Sequence, residues 1–216
     1  MNKEFVIKLF FIFCFLYSNT GHIVAQEGHK QLYEKALELI EEEEYDDAKE
    51  ILLKITKNDP NNYLAFFELA KIEEEDGEEE EAEKYFLKVH SINVEFSPAL
   101  TRLGRLYQEM GKEDEAKQYY LLAWIVDPRS EPAILNVSTM LLKNGQFELA
   151  KNLLENAPVK FESEDNKNQL IFNMGFIYYF QNDWQKARET WKPLIESRHS
   201  LAKHIEGLYY TAGERE

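Results

Sequence analysis

"LGRLYQEMGKEDEAKQYYLLAWIVDP", residues 103–128, is the stretch whose reading decides the fold. Leu103, Leu106 and Tyr107 recur at helical spacing, Gly111 interrupts them, and a second run through Ala116, Tyr120 and Ala123 stops at Pro128. Apolar residues three and four apart mark one face of a helix. Glycine supplies a common left-handed terminating position, and a helix cannot easily run through proline. The stretch therefore reads as two short helices around a turn. One such hairpin cannot bury both of its faces, so copies of it should flank it.

The copies are present. Alanines stand at 48, 82, 116 and 150, each 34 residues after the last. Leu32, Phe66, Leu100 and Ile134 form an apolar column in the same step. Ala36, Ala70, Gly104 and Ser138 form a small-residue column, and Leu52, Phe86, Tyr120 and Leu154 a large one. A fifth copy follows after a spacing of 37, with Ile171, Gly175, Tyr178, Ala187 and Trp191. The small residues let the first helix of each pair (helix A) approach its partner closely, and the alanines on helix B do the same from the other side. The large residues fill the gap to the next pair. Gly77, Gly111 and Gly145 fall where helix A must end and reverse.

This pattern resembles the tetratricopeptide repeat family, whose unit is 34 residues. The third copy carries the resemblance most fully, with Leu100, Leu103, Gly104, Tyr107, Gly111, Ala116, Tyr120, Ala123 and Pro128. The first copy has Lys35 and Glu43 where leucine and glycine are usual. The second has Glu73 and Val94 where tyrosine and proline are usual. The resemblance implies an all-α protein, a right-handed superhelix (solenoid) of about five helix hairpins at about 29–62, 63–96, 97–130, 131–164 and 168–199. Residues 200–216 read as a capping helix and tail. The insertion in "PVKFESEDNK" (158–167) predicts a longer loop, and Pro193 predicts a kinked or shortened fifth helix B.

The first 25 residues differ in kind. Two lysines in "MNKEFVIK" precede the apolar run "LFFIFCFLY" (9–17) and a polar stretch of small residues ending at Ala25. That is the layout of a secretory signal peptide, cut after Ala25; an uncleaved anchor is the competing reading, although the run falls short of the ~20 residues that span a bilayer. The only cysteine, Cys14, lies inside this segment, so the mature chain forms no disulfide. Export to a bacterial periplasm or cell envelope fits the signal and the cysteine usage, and secretion is the alternative.

The formal charge of −15 argues against a nucleic-acid binder and against docking on anionic lipid. Residues 26–96 hold 22 acids and 8 bases, whereas 97–216 hold 17 and 15, so a partner with a basic patch would be steered to the first two repeats. The acid runs "EEEEYDD" (41–47) and "EEEDGEEEEAE" (73–83) read as solvated turn edges and lack the ligand order of a calcium loop. No two of the five histidines stand three or four residues apart, and no phosphate loop or nucleophile elbow occurs. The reading is a non-enzymatic scaffold with no cofactor or metal. A self-associating structural component and an enzyme with a site in the 158–167 loop are the alternatives.

In the resembled family, helix A lines an inner wall that holds peptides or proteins. Its partner-facing positions correspond here to Phe67, Lys71, Arg102, Arg105, Asn136, Phe172, Asn173, Phe176 and Tyr179. The lysine–asparagine pair of the family's carboxylate clamp is missing from the first repeat. The groove is thus expected to carry cations in its middle and aromatics toward the C-terminus, with interhelix packing as the competing role for the aromatics.

Overall fold

The computed structural model describes residues 30–214. The segment read as a signal peptide, 1–25, lies outside them. The described residues form eleven helices and no strand. Helix α1 covers 30–41, followed by α2 (Tyr45–Asn58), α3 (Tyr63–Glu75), α4 (Glu79–Ile92), α5 (Ser97–Glu109) and α6 (Glu113–Val126). Then come α7 (Glu131–Lys143), α8 (Phe147–Glu155), α9 (Glu164–Phe180), α10 (Trp184–Glu196) and α11 (Ala202–Glu214). The described residues divide into two compact units, which part between Ile92 and Asn93.

In the first unit the core gathers Ala36, Ala48, Leu52, Ile55, Leu69 and Ile72. Glu73, the departure from the family's tyrosine, is buried beside it at 4% exposure. Its carboxylate accepts from Lys49 Nζ of α2 through both oxygens, at 2.7 and 2.8 Å. The hydrogen bond to Glu73 holds the Lys49 ammonium above the usual lysine range. A buried carboxylate is tolerated only when paired, and here the pair ties α2 to α3.

In the second unit α5 pairs with α6, α7 with α8 and α9 with α10, while α11 packs on α10. Its buried columns are those the periodicity selects: Ala116, Ala150 and Ala187, then Tyr120, Leu154 and Trp191. The role of the small residues is direct. A Cβ on Gly104 would lie 2.4 Å from Cδ1 of Tyr120, and one on Gly175 would lie 2.0 Å from Nε1 of Trp191. Each ring therefore rests on bare backbone of the facing helix.

The turns from helix A to helix B share one backbone device. Glu43, Gly77, Gly111, Gly145 and Asn182 all have φ between 62° and 78°. Nothing lies within 4 Å of a Cβ built on Gly77, Gly111 or Gly145, so the sign of φ and not crowding selects glycine there. Glu43 adopts the same conformation at the usual steric disadvantage.

Three local expectations are revised. The irregular stretch is 156–163, and α9 starts at Glu164, four residues before the expected start of the fifth repeat. Pro193 does not shorten α10, which runs on to Glu196. The proline lies in the final turn, where it removes one N–H, and Ser197 N still donates to Pro193 O at 3.1 Å. Helix α8 has 9 residues where α2, α4 and α6 have 14. Pro158 explains this, since it has no N–H for the carbonyl of Leu154 and disfavours helical dihedrals at Ala157.

Candidate functional site

The A helices α5, α7 and α9 bound a cleft of about 790 Å³ in the second unit. Arg102 and Arg105 of α5 and Asn136 of α7 line it. The first turns of α9 add Asp165, Asn166 and Gln169, and Gln108 and Thr139 complete a wall rich in amide and hydroxyl groups. Glu109 also lines the cleft, with its Oε1 3.8 Å from Arg105 Nε. Two guanidiniums thus share the cleft with two carboxylates, Glu109 and Asp165. It is a mixed polar surface, not a uniformly basic one.

Tyr120 belongs to the same lining. Burial pushes its phenol up to about 12, so it is a neutral hydroxyl at physiological pH. The loop ahead of α9 is fastened to α7. The Glu131 carboxylate accepts from Glu162 N at 3.1 Å and from Asn166 Nδ2 at 2.8 Å. That contact holds the first turn of α9, and hence Asn166 and Gln169, against the cleft.

The aromatic residues of α9 are placed differently from the expectation. Phe172, Phe176 and Tyr179 are half-buried and pack with Trp191, Ile205 and Leu208. Phe176 meets the Trp191 ring edge-on at 5.2 Å, Tyr179 lies 5.9 Å from it, and Trp191 Nε1 donates to Phe172 O at 3.1 Å. None of the three lines the cleft. They pack half-buried around the core cluster of Trp191 and Ile205, where Gly175 lets the indole lie directly on α9. The aromatic ring most open to water on this helix is Phe180, 52% exposed and stacked on Phe147 at 4.7 Å.

Asn173 is fully buried. Its amide nitrogen donates to Ser138 Oγ at 2.7 Å and Thr139 Oγ1 at 3.0 Å, and its oxygen accepts from Gln169 Nε2 at 2.9 Å. It stitches α9 to α7 behind the cleft and is not presented to a partner. Ser138 is itself completely buried.

Phe67 and Lys71 belong to the first unit. The Phe67 ring packs edge-on against Phe86 at 5.9 Å, and Lys71 Nζ lies 5.8 Å from the Phe67 centroid. Lys71 also pairs with the nearly buried Glu68 at 2.6 Å. Of the nine expected partner-facing residues, then, the cleft gathers Arg102, Arg105 and Asn136. Sequence reading missed Asn166, because it placed the start of the fifth helix A at 168, and it passed over Gln169 inside the expected helix. The available signal was Ser163 followed by Glu164 and Asp165, a helix-start pattern.

Among the described residues no group of three or more His, Cys, Asp or Glu is placed to hold a metal ion, and no helix is long and apolar enough to cross a membrane.

Comparison with known proteins agrees with this architecture. Tetratricopeptide repeat models match residues 33–91, 97–123 and 169–197. No curated protein matches the sequence at a significant level. Among solved structures, PilF of Pseudomonas aeruginosa superposes with a TM-score of 0.68 at 19% identity, covering 88% of this chain and 90% of that one. PilW, described as a widely conserved type IV pilus biogenesis factor, gives 0.63 at 18% identity over 85% and 90%. YrrB, a repeat protein with an unusual peptide-binding site, gives 0.60 at 18% identity over 82% and 90%. At these identities the likeness is one of fold.

Proposed function

The chain belongs to the tetratricopeptide repeat family, and on that premise we propose that it is a non-enzymatic protein-interaction scaffold that takes a peptide segment of its partner in the α5/α7/α9 cleft. One observation carries the reading. The cleft is walled by amide and hydroxyl side chains on successive turns of three parallel-facing A helices, with Arg102 and Arg105 among them. Such groups satisfy the main-chain N–H and C=O groups of an extended segment, which must not be left unpaired when it is covered. YrrB, of the same fold, has a peptide-binding site, which supports the reading by analogy.

The scaffold is exported in this proposal. Residues 1–25 act as the signal peptide, removed after Ala25, and the repeat array works in the cell envelope or outside it. N-terminal sequencing of the protein recovered from fractionated cells tests this point; an intact Met1 on envelope material refutes the cleavage. The acidic 26–96 region attracts partners with a basic patch, and an association rate unmoved by salt refutes that steering.

The cleft is tested by capture from envelope extract with the tagged full chain, beside an Arg105→Glu/Asn136→Ala variant. Both residues are at least partly exposed, so the variant keeps its helical signal. Loss of a protein retained by the parent chain is expected. Equal retention of every captured protein by the variant refutes the cleft as the binding surface.

A further inference from the structure

The opposite side of α7 borders a second groove, of about 520 Å³, between α6 and α8. It shares no residue with the polar cleft, and none of its lining residues is charged in a chain that is 30% charged. Trp124, Leu121, Val137, Leu141 and Leu153 form its floor and walls. Its origin is the short α8. In the 34-residue register α6, ending at Val126, would have its counterpart end at Lys160, yet α8 stops at Glu155. Pro158, the counterpart of Trp124, lies in irregular chain, and Ala157 and Val159 pack on the same core cluster as Trp124.

The same face carries projections as well as a slot. Ile125, one turn from Leu121, is 68% exposed, and Leu149 on the groove wall is 54% exposed. A surface that bears both a hollow and apolar knobs offers the two halves that an isologous contact between identical subunits needs. Charge points the same way. Two copies of a chain with net charge −15 repel wherever their acidic surfaces meet, most of all over 26–96. The α6/α8 groove, whose lining is uncharged, lies within 97–216, where acids and bases nearly balance at 17 to 15. It is the face on which a second copy meets least repulsion and covers apolar surface.

We propose that the α6/α8 groove is the contact through which two copies of this chain pair, Ile125 and Leu149 of each seating against the groove of the other. The polar cleft on the other side of α7 remains open to a partner in the pair, so the two surfaces are tested separately.

The test is sedimentation of the full chain from ~1 to ~300 µM, with reductant present for Cys14, at low and high salt. A monomer–dimer equilibrium that tightens with salt is expected, because salt screens the residual repulsion and there is no ion pair to weaken. Ile125→Glu and Leu149→Glu should each weaken pairing by at least ~30-fold while leaving the circular dichroism unchanged. Arg105→Glu, on the polar cleft, should leave pairing intact. A monomer at every concentration overturns the proposal and leaves the groove to a different apolar partner. A dimer that survives both glutamates, or one that salt dissociates, overturns it equally, since pairing then runs through another face.

Discussion

Replacing Gly175 by alanine tests the packing rule on which the whole array is built. Glycine within a helix is worse than alanine by about 1 kcal/mol, so propensity alone predicts that Gly175→Ala stabilises α9. The structure predicts the reverse. The new Cβ would stand 2.0 Å from Trp191 Nε1, 2.3 Å from Cδ1 and 2.4 Å from Cε2. Ordinary carbon contacts are near 3.5 Å, so the indole must withdraw by about 1.5 Å. It has nowhere to go: Trp191 is fully buried, Phe176 and Tyr179 pack against it, and its N–H is held by Phe172 O. Overpacking costs about 1–3 kcal/mol, and a buried N–H pulled off its acceptor about 1–3 more. After the propensity gain is subtracted, a net loss of roughly 1–5 kcal/mol remains.

Gly207, in α11, is the matched control. It is helical and exposed, and nothing lies within 4 Å of its Cβ, so Gly207→Ala should gain about 0.5–1 kcal/mol. Urea unfolding followed by far-ultraviolet circular dichroism and tryptophan emission reads both. Midpoint and slope are both needed, because a repeat array can open in parts. A Gly175→Ala chain as stable as Gly207→Ala would refute the claim that the small-residue column exists to admit the large side chain opposite.

Three further outcomes follow from the geometry. Gly111→Ala should cost about 1 kcal/mol despite open space around its Cβ, and Glu43→Gly should add about 0.5 kcal/mol, since both positions have left-handed φ; thermal midpoints moving the other way would contradict the backbone account. Glu73→Gln should destabilise the first unit by roughly 2 kcal/mol by stranding Lys49, whereas Lys49→Met with Glu73→Leu should recover most of the loss in urea midpoint; equal losses in both variants would contradict a paired charge. Tyr120 and Tyr33 both hold their protons to about pH 12 when folded, against 10.0 for a free phenol, so folding stability is full below pH 10 and falls as pH climbs from 10 toward 12. Tyr120→Phe should flatten that alkaline decline for the second unit; an unchanged pH profile would show that the Tyr120 phenol is not protected.

The hairpin architecture was legible because packing between helices demands the same residue sizes at every repeat. Gly104 against Tyr120 and Gly175 against Trp191 are the columns of the sequence seen as contacts. The departures from pattern were legible as departures, but not as structure. Glu73 stands out in a column that otherwise reads Leu39, Tyr107, Leu141 and Tyr178, yet its partner Lys49 lies 24 residues away on α2 and belongs to no column. Glu43 keeps the left-handed turn without glycine, because the turn's geometry is imposed by the two helices it joins and a modest strain at one residue does not outweigh their packing.

The site was harder to read for a different reason. A periodic sequence states which residues face the neighbouring helix, and by subtraction which face elsewhere, but it does not say what covers that remainder. Arg102, Arg105 and Asn136 sit in regular copies, and their faces stay open to the cleft. Phe172, Phe176 and Tyr179 occupy the equivalent face of the irregular fifth copy. There α9 is a turn longer, at 17 residues against 13 for α5 and α7, and its aromatic rings are gathered around Trp191 and roofed with Ile205 and Leu208 of α11. The added turn, in exchange, brings Asn166 to the cleft, where it joins Gln169. One insertion therefore sets the N-terminal end of α9 beside the cleft and leaves Phe172, Phe176 and Tyr179 packed around Trp191. A substitution such as Phe176→Ala should accordingly behave as a core truncation, losing about 3–5 kcal/mol of stability, less what its half-exposure spares. Asn166→Ala should leave most stability in place and act on binding. If Phe176→Ala instead unfolds with the parent chain and only binding suffers, the rings of α9 face a partner after all and the assignment of the wall is wrong.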